Sequence, residues 1–337
     1  MWFETLTGFQ EASPEQVRAN IVLSGQTMTS RVNGKTMAYG RLETPTLAEL
    51  RTRVRAHPPF KGQLRLCEVV GDVGKLHTDE ANTGALFQVA SQFNLLEMDK
   101  PSIAPEAGID RYENDHTQGP ACAISAGAGT IYRNYFAKVN GRIGQSSDNQ
   151  IDCLIDLGHA LDNSGERLWG MRNGYALAHE DGLAEISKRI HAMSEPECDA
   201  LRQTLRIGIQ WDTQVTLSGC KHAVSQAYCS ALPVAYSGHP DLLWADFAQL
   251  VLEASYEATL CSAILNLSNT GNKRVFLTLL GGGAFGNRSA WIFSAIKRSL
   301  ALFADMDLDV AIVSHGTSNT EVKAFVASFR GQQSFSG

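Results

Sequence analysis

The sequence predicts an α/β fold in three layers, helices on both faces of a mixed sheet, with a strand-rich N-terminal extension and a central insertion. Three observations predict it. From Gln63 onward, apolar strand-like runs alternate with helical patterns, which is the signature of a sheet covered on both faces. One of these runs, KRVFLTLL, ends in Gly281-Gly282-Gly283 and leads into a helical segment, the kind of join at which α/β proteins bring backbone close to an anion. The chain of 337 residues, 44% hydrophobic and 19% charged, is long enough for one large domain with a sizeable core.

Residues 1–60 read as the extension. TMTSRVNGKTMAYG places Asn33-Gly34 between two alternating segments, a strong signal for a tight hairpin. TPTLAELRTRVRAH then reads as a helix capped by Thr44 or Thr46. The main domain is expected over 61–325. In it, LRLCEVVGDVGKLH gives a strand ending at Gly71-Asp72, and ALFQVASQFNLLEM gives a second apolar run ending near Asn94. GPACAISAGAGTIYRNYF opens a helix at Pro120, a residue suited to a first turn. An insertion is expected at about 141–211, with helices in LIDLGHALDN and DGLAEISKRIHAMS and a strand pair at Trp169 and Tyr175. DLLWADFAQLVLEASYEATLCSAILNL reads as a long helix, SAWIFSAIKRSLALF as another, LDVAIVSH as the last strand, and 326–337 as a tail.

Composition narrows the function. A net charge of -6 argues against nucleic acid or an anionic membrane as a default partner. The N-terminus resembles neither a secretory signal nor a transit peptide, and no apolar window reaches the length of a membrane span, so a cytoplasmic location is expected. The seven cysteines are scattered without a C-x-x-C pair and read as reduced thiols. Cys220-Lys221-His222 has no companion pair, so no metal is expected. Cys229 sits in an apolar run unsuited to a nucleophile, and neither a G-x-S-x-G elbow nor a P-loop is present.

Gly281, Gly283 and Gly286 formally satisfy G-x-G-x-x-G. A dinucleotide fold also needs an acidic residue at the end of the next strand, about twenty positions on, and further βα units. Here that strand ends in Ser314-His315-Gly316, and only residues 288–337 follow the loop. A nicotinamide cofactor is therefore disfavoured, and no cofactor is expected.

The same residues resemble the second phosphate loop of a macrodomain, the ADP-ribose-binding α/β module, in which a G-x-F-G element precedes a helix. GGGAFGN matches it, and Gly71-Asp72-Val73 matches the GD-I/V element. Asn94, at the end of FQVASQFN, matches the asparagine that follows about twenty residues later. SQFN replaces the usual N-A-A-N, and the long segment EMDKPSIAPEAGIDRYENDHTQGPACA replaces a compact glycine run. These departures resemble the divergent branch that includes poly(ADP-ribose) glycohydrolases and bacterial ADP-ribosyl hydrolases, although the Gln-Glu-Glu catalytic signature of that branch is absent. The resemblance implies that Asp72 and Val73 meet the adenine and Asn94 the distal ribose. Gly119, Gly281, Gly282, Gly283, Ala284, Phe285, Gly286 and Asn287 would surround the phosphates. It implies ADP-ribose or an ADP-ribosylated protein as the partner, and a hydrolase or a non-catalytic reader as the activity.

Cleavage at the anomeric carbon of the distal ribose passes through an oxocarbenium-like state that a carboxylate stabilises, or for which it activates water. The loop from Glu106 to Asp115 gathers Glu106, Asp110, Glu113 and Asp115 beside His116, and is the expected source of the catalytic group. Asp110 and Asp115 are favoured because DHTQGPA runs directly into the next helix. His116 is a candidate acid or base, and Arg133 a candidate partner for a phosphate or an acid.

Overall fold

A computed structural model describes residues 1–57 and 60–334. Its centre is a seven-stranded mixed sheet. The order across it is Arg41–Glu43, Gly208–Gln214, Ala223–Cys229, Leu86–Ala90, Arg274–Leu277, Asp309–Ser314 and Arg65–Val70. The last five run parallel, and the first two are antiparallel at one edge. Register aligns Cys229 with Ala90, Leu277 with Ile312, and Ser314 with Val70, so the carboxyl ends of the parallel strands form one rim. In open α/β sheets that rim is where ligands bind.

Helices cover both faces, as expected. One face is backed by Asp241–Thr270, a helix of 30 residues that ends at Gly271 in the left-handed region and is buried along most of its length. It packs against Leu47–Ala56, Glu180–Ala192, Glu195–Thr204 and Ser289–Leu302. An ion network fixes this layer: Arg51 bonds Glu257 at 2.5 Å and Asp199 at 2.7 Å, and Arg298 bonds Glu257 at 2.7 Å. The opposite face carries Val73–Thr78, Gln118–Ser125 and Gly127–Tyr135.

Several local expectations are present. Strands Thr27–Ser30 and Thr36–Ala38 pair antiparallel around Asn33-Gly34, with Gly34 at φ 71°. Thr46 caps Leu47–Ala56 in a reciprocal box with Glu49, whose side chain accepts from the Thr46 amide at 2.7 Å. Trp169–Arg172 pairs with Tyr175–Ala178.

Other features differ from the reading. Helices Trp2–Thr7 and Pro14–Asn20 precede the first hairpin. The second begins where Ser13 accepts from the Gln16 amide and Pro14 opens the first turn, and each helix is short enough to bury only one or two residues, which leaves almost no apolar periodicity to read. Strand Arg41–Glu43 of the extension joins the main sheet. Helix Thr320–Ser334 runs through most of the expected tail, the last three residues of which lie outside the described residues.

The extension has its own core, separate from the main one. Phe3, Phe9, Val17, Met28, Met37 and Tyr39 pack with Leu96, Met98, Ile109 and Tyr112, and with Ile131 and Tyr135. The first forty residues are thereby tied to the acidic loop.

Candidate functional site

A cleft of about 400 Å³ opens on the rim of the parallel strands. Its floor is the strand ends at Ala90–Gln92 and Thr278–Leu280. One wall is Glu97–Asp99 and Asp115–Gly119; the other is the glycine turn with Tyr175, Tyr236 and Ala231; His315 also lines it.

The glycine turn is shaped by its own bonds. Gly282 N–H donates to Leu279 O at 3.0 Å, Gly286 N–H to Gly283 O at 3.0 Å, and Asn287 N–H to Gly281 O at 2.9 Å. Gly281 has φ 72°, and a Cβ there would lie 2.4 Å from the Ala231 Cβ, so only glycine fits. Asn287 Nδ2 donates to Leu232 O at 2.8 Å and so anchors the turn to the opposite loop. The amides of Gly281, Gly283, Ala284 and Phe285 are not used in this scaffold: among the described residues they donate to no protein group. These four N–H groups on one turn suit an anion. Across the cleft, the Gln118 and Gly119 amides, in the first turn of Gln118–Ser125, are also without a protein acceptor among the described residues.

Between these walls lies a carboxyl group that the sequence reading overlooked. Glu97 is only 6% exposed, yet it lines the cleft, and its Oε1 has no hydrogen-bond partner among the described residues. A Cβ on Gly119 would lie 2.7 Å from its Oε2 and 2.3 Å from Ala90 O, so the carboxyl fills space that a side chain at 119 would take. Tyr112 Oη accepts from the Glu97 amide at 2.9 Å and holds this segment in place. Burial pushes the Glu97 pKa well above the ordinary carboxylate range; Arg133 opposes the shift and Asp115 adds to it. The shift favours the protonated form of a carboxyl group that lines the cleft. Its signal in the sequence was the lone charge in the run Phe93–Met98, FNLLEM.

Arg133 lies behind this wall and is 1% exposed. Its guanidinium sits 3.7 Å over the Tyr228 ring, with Nε donating to Leu95 O at 3.2 Å and Nη2 to Thr130 Oγ1 at 2.9 Å. Nη1 has no partner in the described structure.

Of the acidic-loop candidates, Asp115 lines the cleft, where its Oδ1 accepts from the Thr117 amide at 2.8 Å. His116 lines it too. The other three carboxylates face the scaffold. Asp110 accepts from the Phe3 amide at 3.2 Å, and its pKa is raised, chiefly by burial. Glu113 accepts from the Trp2 amide at 2.8 Å, and Glu106 from the Ser147 amide at 2.8 Å. They hold the loop to the extension and to the hairpin beyond it.

Of the ligand-binding candidates, Gly119, Gly281, Gly283, Ala284 and Phe285 line the cleft, while Gly282, Gly286 and Asn287 build the turn beneath them. Asp72 caps Val73–Thr78 by accepting from the Lys75 amide at 3.1 Å. The Val73 amide donates to Gln118 Oε1 at 3.0 Å, and Val73 lines a separate cavity of about 20 Å³ that shares Gln118, Gly119, Ala90 and Thr278 with the main cleft. Asn94 is fully buried beside the site: Oδ1 accepts from the Leu96 amide at 3.1 Å, and Nδ2 donates to Gln150 at 2.8 Å. Its side chain thereby shapes the bend that presents Glu97.

Asp99, Tyr175, Tyr236 and His315 join the site without having been singled out by the sequence. Tyr175, Tyr236 and Phe285 form an aromatic corner with ring centroids 5.2–5.6 Å apart. Among the described residues, no group of three or more His, Cys, Asp or Glu side chains could hold a metal ion, and no helix is long and apolar enough to cross a membrane.

No family model matches the sequence, and neither does any curated protein. Among solved structures, the chain is similar to poly(ADP-ribose) glycohydrolase from Deinococcus radiodurans in complex with ADP-ribose, with a TM-score of 0.45 and 11% identity, covering 88% of this chain and 94% of that one. It is also similar to poly(ADP-ribose) glycohydrolase from Thermomonospora curvata, with a TM-score of 0.45 and 12% identity, covering 93% of this chain and 95% of that one. The Thermomonospora enzyme bound to the inhibitor ADP-HPD gives a TM-score of 0.44 with the same identity and coverage.

Proposed function

We propose that this chain is an ADP-ribosyl hydrolase that cleaves the bond between the distal ribose of ADP-ribose and a modified side chain of a protein. The observation that carries the reading is Glu97: a buried carboxyl group, its pKa raised by burial, on the lining of a cleft whose facing turn offers four unused amides.

The pyrophosphate lies against the N–H groups of Gly281, Gly283, Ala284 and Phe285, which provide fixed dipoles in place of basic side chains. The aromatic corner flanks the sugar, and Asp72 with Val73 stand at the adenine end, where Gln118 must release the Val73 amide for a base to reach it. Glu97 gives its proton to the leaving atom as the glycosidic bond lengthens. Asp115, on the same wall, takes the proton of the attacking water and counters positive charge on the ribose. Two carboxyl groups in unlike surroundings, one dry and one wet, suit this division of labour.

The test is turnover of ADP-ribosylated protein by the unaltered chain and by Glu97→Gln. General-acid loss lowers kcat by about 10²–10⁴-fold, while ADP-ribose affinity measured by calorimetry stays within about threefold, well under the 1.4 kcal/mol that marks a tenfold change. Saturable ADP-ribose binding without turnover of any linkage would refute the hydrolase and leave a reader module.

A further inference from the structure

We infer, building on the hydrolase reading, that the acceptor freed at this cleft is a guanidinium, so that the substrate is an ADP-ribosyl group N-linked to an arginine side chain. The lining carries Glu97, Asp99 and Asp115 with the imidazoles of His116 and His315, and among the described residues no lysine or arginine lines it. The one ion pair at the mouth is Arg111 to Asp99 at 3.1 Å, which leaves Asp115 without a cationic partner within 4.0 Å among the described residues. Arg133 lies behind the wall and, among the described residues, enters no ion pair within that distance. With Asp115 unpaired and no cationic side chain on the lining among the described residues, the cleft favours a nucleotide that carries a cation at its far end.

The second observation is the Glu97 side chain, which is more than nine-tenths buried, lines the cleft and leaves Oε1 without a hydrogen-bond partner among the described residues. The linking oxygen of an ether to serine or ribose, or of an ester to a carboxylate, carries no hydrogen-bond donor of its own. An arginine link gives up one of the five guanidinium N–H donors to the sugar and keeps the rest, in a planar fork suited to carboxyl groups. One of those donors satisfies Oε1, and the charge faces Asp99 and Asp115.

The step balances. Water oxygen bonds to the anomeric carbon as the carbon–nitrogen bond breaks, and the electron pair of that bond goes to the guanidine nitrogen, which takes the Glu97 proton. The water proton passes to Asp115 and returns through solvent to Glu97, so a cationic conjugate yields a guanidinium and neutral-headed ribose with no change in total charge.

The experiment compares kcat/KM at low salt for peptides of one sequence carrying arginine-, serine- or glutamate-linked ADP-ribose, and for poly(ADP-ribose). The arginine-linked peptide is expected to lead by at least about tenfold. Asp99→Asn is expected to raise its KM several-fold and leave the KM of the serine-linked peptide unmoved. Equal rates, preference for another linkage or polymer, or an Asp99→Asn effect shared by all substrates overturns the inference while the hydrolase reading stands. Turnover of none removes the hydrolase reading itself.

Discussion

Gly119→Ala is the smallest change that tests whether the Glu97 carboxyl is held where it must act. The added Cβ would meet Ala90 O at 2.3 Å and Glu97 Oε2 at 2.7 Å, against an ordinary contact of at least 3.4 Å. Relief requires about 1.1 Å of movement from the strand end and about 0.7 Å from the carboxyl, which are the differences between those distances. Ala90 O belongs to the sheet and cannot give way cheaply, so the start of helix Gln118–Ser125 shifts and Glu97 is displaced. Overpacking of this kind destabilises by about 1–3 kcal/mol, which is roughly 1–4 °C in Tm for a chain of this size. A displacement near 1 Å at a reacting group lowers rate by about 10²-fold. Initial rates on ADP-ribosylated peptide, read at a temperature where circular dichroism shows the variant fully folded, separate the two effects. Unchanged kcat/KM in a folded Gly119→Ala protein would refute the argument that Gly119 makes room for a working Glu97.

Glu97 has a folded pKa above its ordinary value of 4.5, so its contribution to stability is complete below that value and is lost as pH rises towards the folded pKa; urea titrations should show Glu97→Gln gaining on the unaltered protein as pH climbs from 4 to 8, and a constant difference would contradict the assignment. Gly281→Ala puts a Cβ 2.4 Å from the Ala231 Cβ at a φ of 72°, and should weaken ADP-ribose binding by at least about tenfold in a calorimetric titration, because the turn that aims the free amides is lost. Arg51→Ala leaves Glu257, which is 5% exposed, with Arg298 as its remaining cationic partner, and the lost charged hydrogen bonds should destabilise the fold by about 1.5–3 kcal/mol in chemical denaturation without altering kcat.

Much of the architecture was legible because its periodicities are strong. The strand that enters Gly281, the Asn33-Gly34 hairpin and the Thr46 capping box are each written within a few neighbouring residues. The helices before the first hairpin were hidden because each buries only one or two residues, too few to set a repeat. The site divided along the same line. The glycine turn is a local structure, and its residues could be read in place. The proposed acid could not, because four carboxylates crowd the Glu106–Asp115 loop while Glu97 stands alone in an apolar run. Which carboxyl group is dry is decided by contacts distant in sequence: Tyr112 beneath Glu97, Gly119 beside it, and the extension that draws Asp110 and Glu113 away from the cleft. No window of the sequence contains that information.

The shared core of the extension and the acidic loop has a consequence for motion. Glu11 accepts from both Tyr135 Oη and the Asp110 amide, and Phe3 donates to Asp110, so residues more than ninety positions apart must separate together. Loops with so few contacts of their own usually exchange amide hydrogens quickly and independently. Here the Ile109–Asp115 amides should exchange in step with those of Phe3 and Val17, as one cooperative unit slower than either segment alone. The wall bearing Asp115 is thus expected to open only when the first forty residues let go.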